Sequence, residues 1–70
     1  MNTTVEISLN GQRFTTDAPT LQGLLLKQGY ELKNAFACAI NGSFVPRGQW
    51  PERLLQLDDR VDVVTPIAGG

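Results

Sequence analysis

Two Asn-Gly pairs, at residues 10–11 and 41–42, constrain this sequence more than any other feature. Each pair follows a run of alternating side chains, at 5–9 and at 36–40, in which every second residue is bulky and apolar. Alternation with a period of two is typical of β-strands, and Asn and Gly tolerate the positive φ angles of tight β-turns. The sequence therefore predicts two strands that each end in a tight turn.

A two-residue loop at the first Asn-Gly pair determines the register of the first hairpin. It places Ile7 opposite Phe14 and Leu9 opposite Gln12. One face of the hairpin is then apolar, because Ile7 and Phe14 share it. The opposite face carries the polar side chains of Glu6, Ser8 and Arg13.

A short helix is predicted at about Leu21 to Gln28, where Leu residues recur at helical spacing. The hydroxyl of Thr20 can cap its first turn, and Gly29 suits the left-handed position that follows a helix. Tyr30 can then fold back onto Leu25 in a Schellman-type closure.

Short strands account for most of the remaining chain. We expect a strand from Phe36 to Ile40, a brief one at 43–45 that Pro46 stops, and a last one at 60–65. Between them the irregular stretch 47–52 is compatible with one 3₁₀ turn, and three leucines should hold the segment before the last strand to the core: Leu54, Leu55 and Leu57. This order predicts an α+β domain in which one helix lies across one face of a mixed sheet.

Composition excludes several classes of function. The chain has 70 residues, no histidine and one cysteine, Cys38, so it lacks the side chains of a Ser/His/Asp or Cys/His catalytic centre. Its formal net charge of −1 is unlike that of proteins that bind nucleic acid, and the longest Leu run is far shorter than a membrane span. We therefore expect a small, non-catalytic protein of a reducing cytoplasm, monomeric when free, with no nucleic-acid or membrane partner.

The ending Gly69-Gly70 has a more specific physical meaning. Two residues without Cβ form a thin arm whose carboxylate can enter a channel too narrow for any side chain. The alternative interpretation is a frayed terminus, which most domains have. The tail alone leaves both interpretations open.

Three segments resemble the ThiS family, the sulfur carriers of thiamine biosynthesis: Ala39 to Trp50, which contains Val-Pro-Arg-x-x-Trp, the strand 61–65, and the ending Ile67-Ala68-Gly69-Gly70. The Val-Pro-Arg-x-x-Trp segment is the more discriminating feature, since β-grasp proteins share the tail more widely. One position departs from the family's pattern, because Asp58 stands where the family typically has the glycine of Asp-Gly-Asp. Asp58 would therefore have to adopt a left-handed backbone, which Asp tolerates better than most residues.

The resemblance implies a ubiquitin-like β-grasp domain over residues 1–66 and a flexible tail over 67–70. It implies a carrier rather than an enzyme, with no cofactor bound by the chain itself. A ThiF-type adenylating enzyme would use ATP to adenylate the Gly70 carboxylate, and sulfur from a cysteine desulfurase-dependent donor would convert it to a thiocarboxylate. Thiazole synthase would be the acceptor of that sulfur.

The docking surface expected from this interpretation lies on the sheet face away from the helix. Four side chains should form an apolar patch there: Ala37, Ala39, Phe44 and Val64. We expect this patch to bind the adenylating enzyme while the tail reaches into it, with Pro66, Ile67 and Ala68 as further contacts and Gly69 and Gly70 at the reacting end.

Other residues have less specific interpretations. Cys38 alternates with Phe36 and Ile40, so packing is favoured over a role as a sulfur-relay thiol. The aspartates 58, 59 and 62 suggest a turn and a solvated face rather than a metal site. We expect a structural role for Trp50 and leave Arg47 open between docking and structure.

Three alternative functions share parts of this pattern. The small subunit of molybdopterin synthase has the same tail chemistry and another acceptor, and a ubiquitin-like modifier would be conjugated to lysines. A binding module whose Gly-Gly ending is incidental is the third.

Overall fold

A computed structural model of the chain describes residues 4–65. The elements follow the predicted order: β1 (Val5–Leu9), β2 (Gln12–Thr16), α1 (Leu21–Lys27), β3 (Ala37–Ile40), β4 (Ser43–Val45), a 3₁₀ turn (Arg47–Gln49) and β5 (Arg60–Val64). No helix among the described residues is long and apolar enough to cross a membrane.

The five strands form one mixed sheet in the order β2-β1-β5-β3-β4. The last strand of the chain lies in the middle, parallel to β1 and antiparallel to β3, while both hairpins are antiparallel. The predicted register of the first hairpin is confirmed, since Ile7 pairs with Phe14 and Leu9 with Gln12. Both Asn-Gly turns have positive φ at Asn and at Gly, as the turn chemistry requires.

The helix begins and ends as its caps predict. The Thr20 hydroxyl accepts a hydrogen bond from the Gly23 N–H at 3.1 Å. At the other end Gly29 has a φ of 90°, and the Tyr30 N–H donates to the Leu25 carbonyl at 3.0 Å, which is the Schellman closure. The last helical residue is Lys27, one before the predicted end.

The core lies between α1 and one face of the sheet. The helix contributes Leu21, Leu24 and Leu25. Partners from the sheet and the connecting segments complete it: Ile7, Leu9, Ala18, Cys38, Ile40, Val45, Trp50, Leu55 and Val61. This is the predicted arrangement of one helix across one sheet face.

The prediction that three leucines hold the segment before β5 is wrong for two of them. Leu55 is buried, but Leu54 and Leu57 are 60% and 65% exposed. Leu54 forms an isolated antiparallel bridge with Thr20, and side chains along such an extended segment alternate between faces. Leu54 and Leu55 therefore point in opposite directions, whereas Leu57 is exposed because it lies in the turn before β5.

The start of the third strand also differs from the prediction. β3 begins at Ala37 rather than Phe36. The Phe36 ring instead stacks on Trp50, with ring centroids 5.1 Å apart, and lies 5.4 Å from the Tyr30 ring. Phe36 thus packs at the end of the sheet rather than within its hydrogen-bonded ladder.

Candidate functional site

The residues predicted to carry and deliver sulfur lie outside the described residues. These are Gly69 and Gly70 at the reacting end and the contacts Pro66, Ile67 and Ala68. Their roles, and the division between a domain and a tail, stay predictions. The structure does describe β5, which leads to them, and the sheet face beside it.

The four predicted patch residues lie on one face of the sheet. β3 pairs with β5 so that Ala37 is opposite Val64, and with β4 so that Ala39 is opposite Phe44. Directly paired residues point to the same face, and here it is the face away from the helix. Phe44 and Val64 are 68% and 62% exposed, so these four residues form a solvent-facing surface that we call the outer apolar patch.

The same face is charged near β1 and β2. Arg13 Nη2 lies 3.2 Å from a Glu6 carboxylate oxygen and 2.8 Å from Asp58 Oδ1. Hydrogen bonds and charge from Glu6, and then from Asp58, raise the pKa of Arg13 further above its ordinary value. The outer face therefore has a charged half over β1 and β2 and an apolar half over β3, β4 and the end of β5.

Side-chain amides from both turns hold β5 in place. β1 pairs with β5 only through Ser8 and Leu9. Beyond that pairing, the Asn10 side-chain oxygen accepts a hydrogen bond from the Val63 N–H at 2.8 Å. On the other side of β5, the Asn41 side-chain oxygen accepts from the Arg60 N–H at 2.9 Å. Backbone donors of β5 are thus satisfied where the neighbouring strands end.

These two hydrogen bonds were not predicted from the sequence, which suggested only turn roles for Asn10 and Asn41. The one feature of the sequence that could have indicated these hydrogen bonds is the residue type, Asn. Gly at the same position could adopt the turn but could not accept a hydrogen bond from another strand. Nothing in the local sequence shows that the acceptor of Asn10 meets a donor 53 positions away, or that the acceptor of Asn41 meets one 19 positions away.

The three aspartates near β5 have different surroundings. Asp58 has a φ of 68°, so it does adopt the left-handed backbone expected from its replacement of a glycine, and it binds Arg13. Asp59 is buried and accepts hydrogen bonds from Asn41 Nδ2 at 3.0 Å and from the Gln56 N–H at 2.8 Å. Asp62 lies in β5 on the outer face, opposite Ala39.

These positions give no support to a shared metal site. Arg53 lies 3.4 Å from the Asp59 carboxylate, which is therefore also compensated by a cation. Within residues 4–65, no group of three acidic, cysteine or histidine side chains is arranged to hold a metal ion. Asp59 instead joins the second turn to the segment before β5.

Cys38 is a packing residue in the described structure. Its side chain is buried in the core on the helix side of β3. Burial raises the pKa of the thiol to about 11, because desolvation disfavours the thiolate, and the charge of Arg47 opposes this only in part. A thiol that is both buried and protonated is a poor nucleophile, as predicted from the alternation.

Arg47 has a structural role that the sequence left open. Its guanidinium lies 4.5 Å from the centroid of the Trp50 ring and 5.1 Å from that of Phe36. It also donates hydrogen bonds to three carbonyls of the segment between α1 and β3, those of Leu32, Asn34 and Phe36. Arg47 therefore ties this irregular segment to the 3₁₀ turn.

Trp50 completes the same cluster and is buried, as predicted. Its Nε1–H donates to the Val45 carbonyl at 2.9 Å, so the buried indole has no unpaired donor. The Val-Pro-Arg-x-x-Trp segment thus forms a structural unit beside β4, in which Val45 and Trp50 are buried and Arg47 stacks on Trp50.

The arrangement defines a class of protein. A mixed sheet with its last strand in the middle, one helix across one face and a chain end that continues from that central strand are the features of a ubiquitin-like β-grasp domain.

Comparison with known proteins gives the family. Residues 5–70 match the ThiS family, so the chain belongs to this family of sulfur carriers. A similar solved structure is that of a thiamine biosynthesis protein (ThiS) from Geobacter metallireducens, with a TM-score of 0.76 and 18% sequence identity over 94% of this chain and 100% of that one. No curated protein matched the sequence.

Proposed function

We propose that this chain carries sulfur as a thiocarboxylate on Gly70 and donates it for the synthesis of the thiamine thiazole. The observation that carries the proposal is the family match, which extends through the Gly-Gly ending to residue 70. The structural neighbour that shares this fold is described as a thiamine biosynthesis protein.

The chemistry requires activation by a partner. A carboxylate is a poor electrophile, so its oxygen would first attack the α-phosphorus of ATP, with pyrophosphate as leaving group. Sulfide, released by a thiol reductant from the persulfide of a cysteine desulfurase-dependent donor, would then attack the acyl carbon of the adenylate and release AMP. The thiocarboxylate formed would pass its sulfur to thiazole synthase.

The described residues support the part of a substrate in this scheme. The sequence has no P-loop that could hold ATP. Cys38 is buried and protonated, so sulfur would have to come from outside the chain. A buried structural thiol of this kind also suits a reducing cytoplasm.

The outer apolar patch is the proposed docking surface for a ThiF-type adenylating enzyme. Val64 is next but one to Pro66, so a partner seated on Val64 and Phe44 would also meet the start of the tail. An exposed apolar surface gains free energy when a complementary partner covers it.

The first experiment measures the intact mass of the protein after incubation with the adenylating enzyme, ATP, a cysteine desulfurase and cysteine. We expect the mass change of one oxygen replaced by sulfur, and no change in a variant that lacks Gly70. No change in the intact protein, with the enzyme active on another carrier, would refute the proposal.

A second experiment tests the docking surface with a matched pair of variants. Val64→Asp places a charge in the outer apolar patch, whereas Leu26→Asp places one at a similarly exposed apolar side chain of the helix, 54% exposed against 62%. We expect only Val64→Asp to weaken binding to the adenylating enzyme. Equal binding by both folded variants would exclude this surface.

Further assays of the activated protein with candidate acceptors separate two of the alternatives. Sulfur transfer from the thiocarboxylate to molybdopterin precursor rather than to the thiazole pathway would identify a molybdopterin synthase subunit. Covalent adducts on lysines of other proteins would indicate a modifier.

A further inference from the structure

One carboxylate lies within the outer apolar patch. Asp62 is opposite Ala39 in the pairing of β3 with β5, and it shares its face with Val64, two residues further along the strand. Ala39 in turn separates it from Phe44. Asp62 is half-buried among these small and apolar neighbours.

The nearest cation leaves this carboxylate without a direct hydrogen bond. Arg60 Nε is 3.6 Å from Asp62 Oδ2, which is beyond hydrogen-bond distance. The far end of the same guanidinium lies over the second turn, where Nη2 is 3.7 Å from the position that a Cβ would take on Gly42. Arg60 therefore forms an ion pair with Asp62 without donating a hydrogen bond to it.

This geometry has a consequence for any partner that covers the patch. Water that solvates Asp62 would be removed together with the water over Val64 and Phe44. A carboxylate that is desolvated without a hydrogen-bonded cation is strongly unfavourable. The partner must then supply the missing donor or avoid this part of the patch.

We propose that the adenylating enzyme presents an arginine or lysine to Asp62 when it docks on the outer apolar patch. This inference rests on the proposed function, because it assigns the chemistry of that partner's contact surface. Asp62 is then a specificity determinant. It favours a partner with a cation inside an apolar surface, and it disfavours partners that are purely apolar or acidic there.

The charge that matters is the one inside the patch. Glu6 is on the same sheet face, but it already contacts Arg13 and lies in the charged half. Glu6→Gln and Asp62→Asn each remove one negative charge from the outer face and keep the side-chain shape. The two variants therefore separate a local contact from a general electrostatic attraction.

The test measures the dissociation constant of each full-length variant with the adenylating enzyme, after circular dichroism has shown equal folding. We expect Asp62→Asn to bind about thirtyfold more weakly than the unmodified protein, as when one member of a buried charge pair is removed. Asp62→Arg should bind more weakly still, while Glu6→Gln should stay within about twofold. The salt dependence of binding should be shallower for Asp62→Asn than for Glu6→Gln.

Several results would overturn the inference. If the unmodified protein binds and is adenylated but Asp62→Asn binds as tightly as Glu6→Gln, the partner supplies no cation at Asp62 and the proposed function stands. Tighter binding by Asp62→Asn would show that the carboxylate lowers the affinity for the adenylating enzyme. If the unmodified protein is neither bound nor adenylated, the proposed function fails and this inference fails with it.

Discussion

Asn10 provides a direct test of how β5 is held. Asn10→Gly keeps a residue that favours the observed φ of 51° and removes the side-chain acceptor of the Val63 N–H. Asn10→Ala removes the same acceptor and also forces an unfavourable left-handed backbone on a residue with a Cβ. The hydrogen bond from the Asn10 N–H to the Val61 carbonyl can form in both variants.

The magnitudes follow from these contacts. Loss of one hydrogen bond costs about 1 kcal/mol. Gly lowers the stability by about 0.5–1 kcal/mol, because it gives the unfolded chain more conformational entropy. It also removes the strain of a left-handed Asn backbone, and this gain offsets that loss. We expect Asn10→Gly to be destabilised by about 1 kcal/mol, and Asn10→Ala by about 2–3 kcal/mol because its backbone strain adds about 1–2 kcal/mol.

Thermal unfolding and amide hydrogen exchange check both parts of this prediction. In a domain of this size 1 kcal/mol lowers Tm by about 4–8 °C. In Asn10→Gly the Val63 amide should lose protection more than other amides of β5, since only its acceptor has been removed. Equal stability of Asn10→Gly and the unmodified protein, or an Asn10→Ala no less stable than Asn10→Gly, would refute the assigned roles.

Three further predictions concern the buried and stacked groups. Cys38 should react with a thiol reagent only after unfolding. Burial raises the pKa of the Cys38 thiol from 9.0 to about 11. The stabilisation that this buried, protonated thiol contributes is therefore full below pH 9 and is lost as the pH rises towards 11. Denaturant titration between pH 8 and 11 measures this loss in the free energy of unfolding. Arg47→Lys keeps the charge but loses the planar group that stacks on Trp50 and binds three carbonyls. It should be about 1–2 kcal/mol less stable, with lost amide protection confined to residues 30–36 if the assignment is correct. Trp50→Phe removes the hydrogen bond from Nε1–H to the Val45 carbonyl and reduces the buried side-chain volume. Chemical denaturation should therefore show a free energy of unfolding lower by about 2–3 kcal/mol. A decrease below about 1 kcal/mol would contradict the packing described.

Strand alternation predicts which residues of the outer apolar patch face away from the helix, but not that they lie side by side. Period-two alternation places Ala37 and Ala39 on the face opposite Cys38, and the same rule separates Val64 from Val63. Whether these residues of two strands meet depends on the strand order, and local sequence does not encode which strands become neighbours. The parallel pairing of β1 with β5 joins residues more than 50 positions apart in the chain.

Errors at Leu54 and Leu57 have a related cause. The Leu54 side chain points away from the core because neighbouring side chains of an extended segment alternate between faces, and Leu57 is exposed because it lies in a turn. Exposed leucines are common on folded domains, because there is not enough polar surface to cover them. The direction of Leu55 was decided by the contact of this segment with the residues before α1.

The sequence by itself determined the elements whose causes are local: both Asn-Gly turns, the capped helix and the register of the first hairpin. Each depends on residues within one turn or one hairpin, so the chemistry of neighbours is sufficient. Tertiary structure alone decided the strand order, the anchoring of β5 by Asn10 and Asn41, the stacking of Arg47 and the place of Asp62 inside an apolar patch. These depend on contacts between distant segments, which form only when burial of the core brings those segments together.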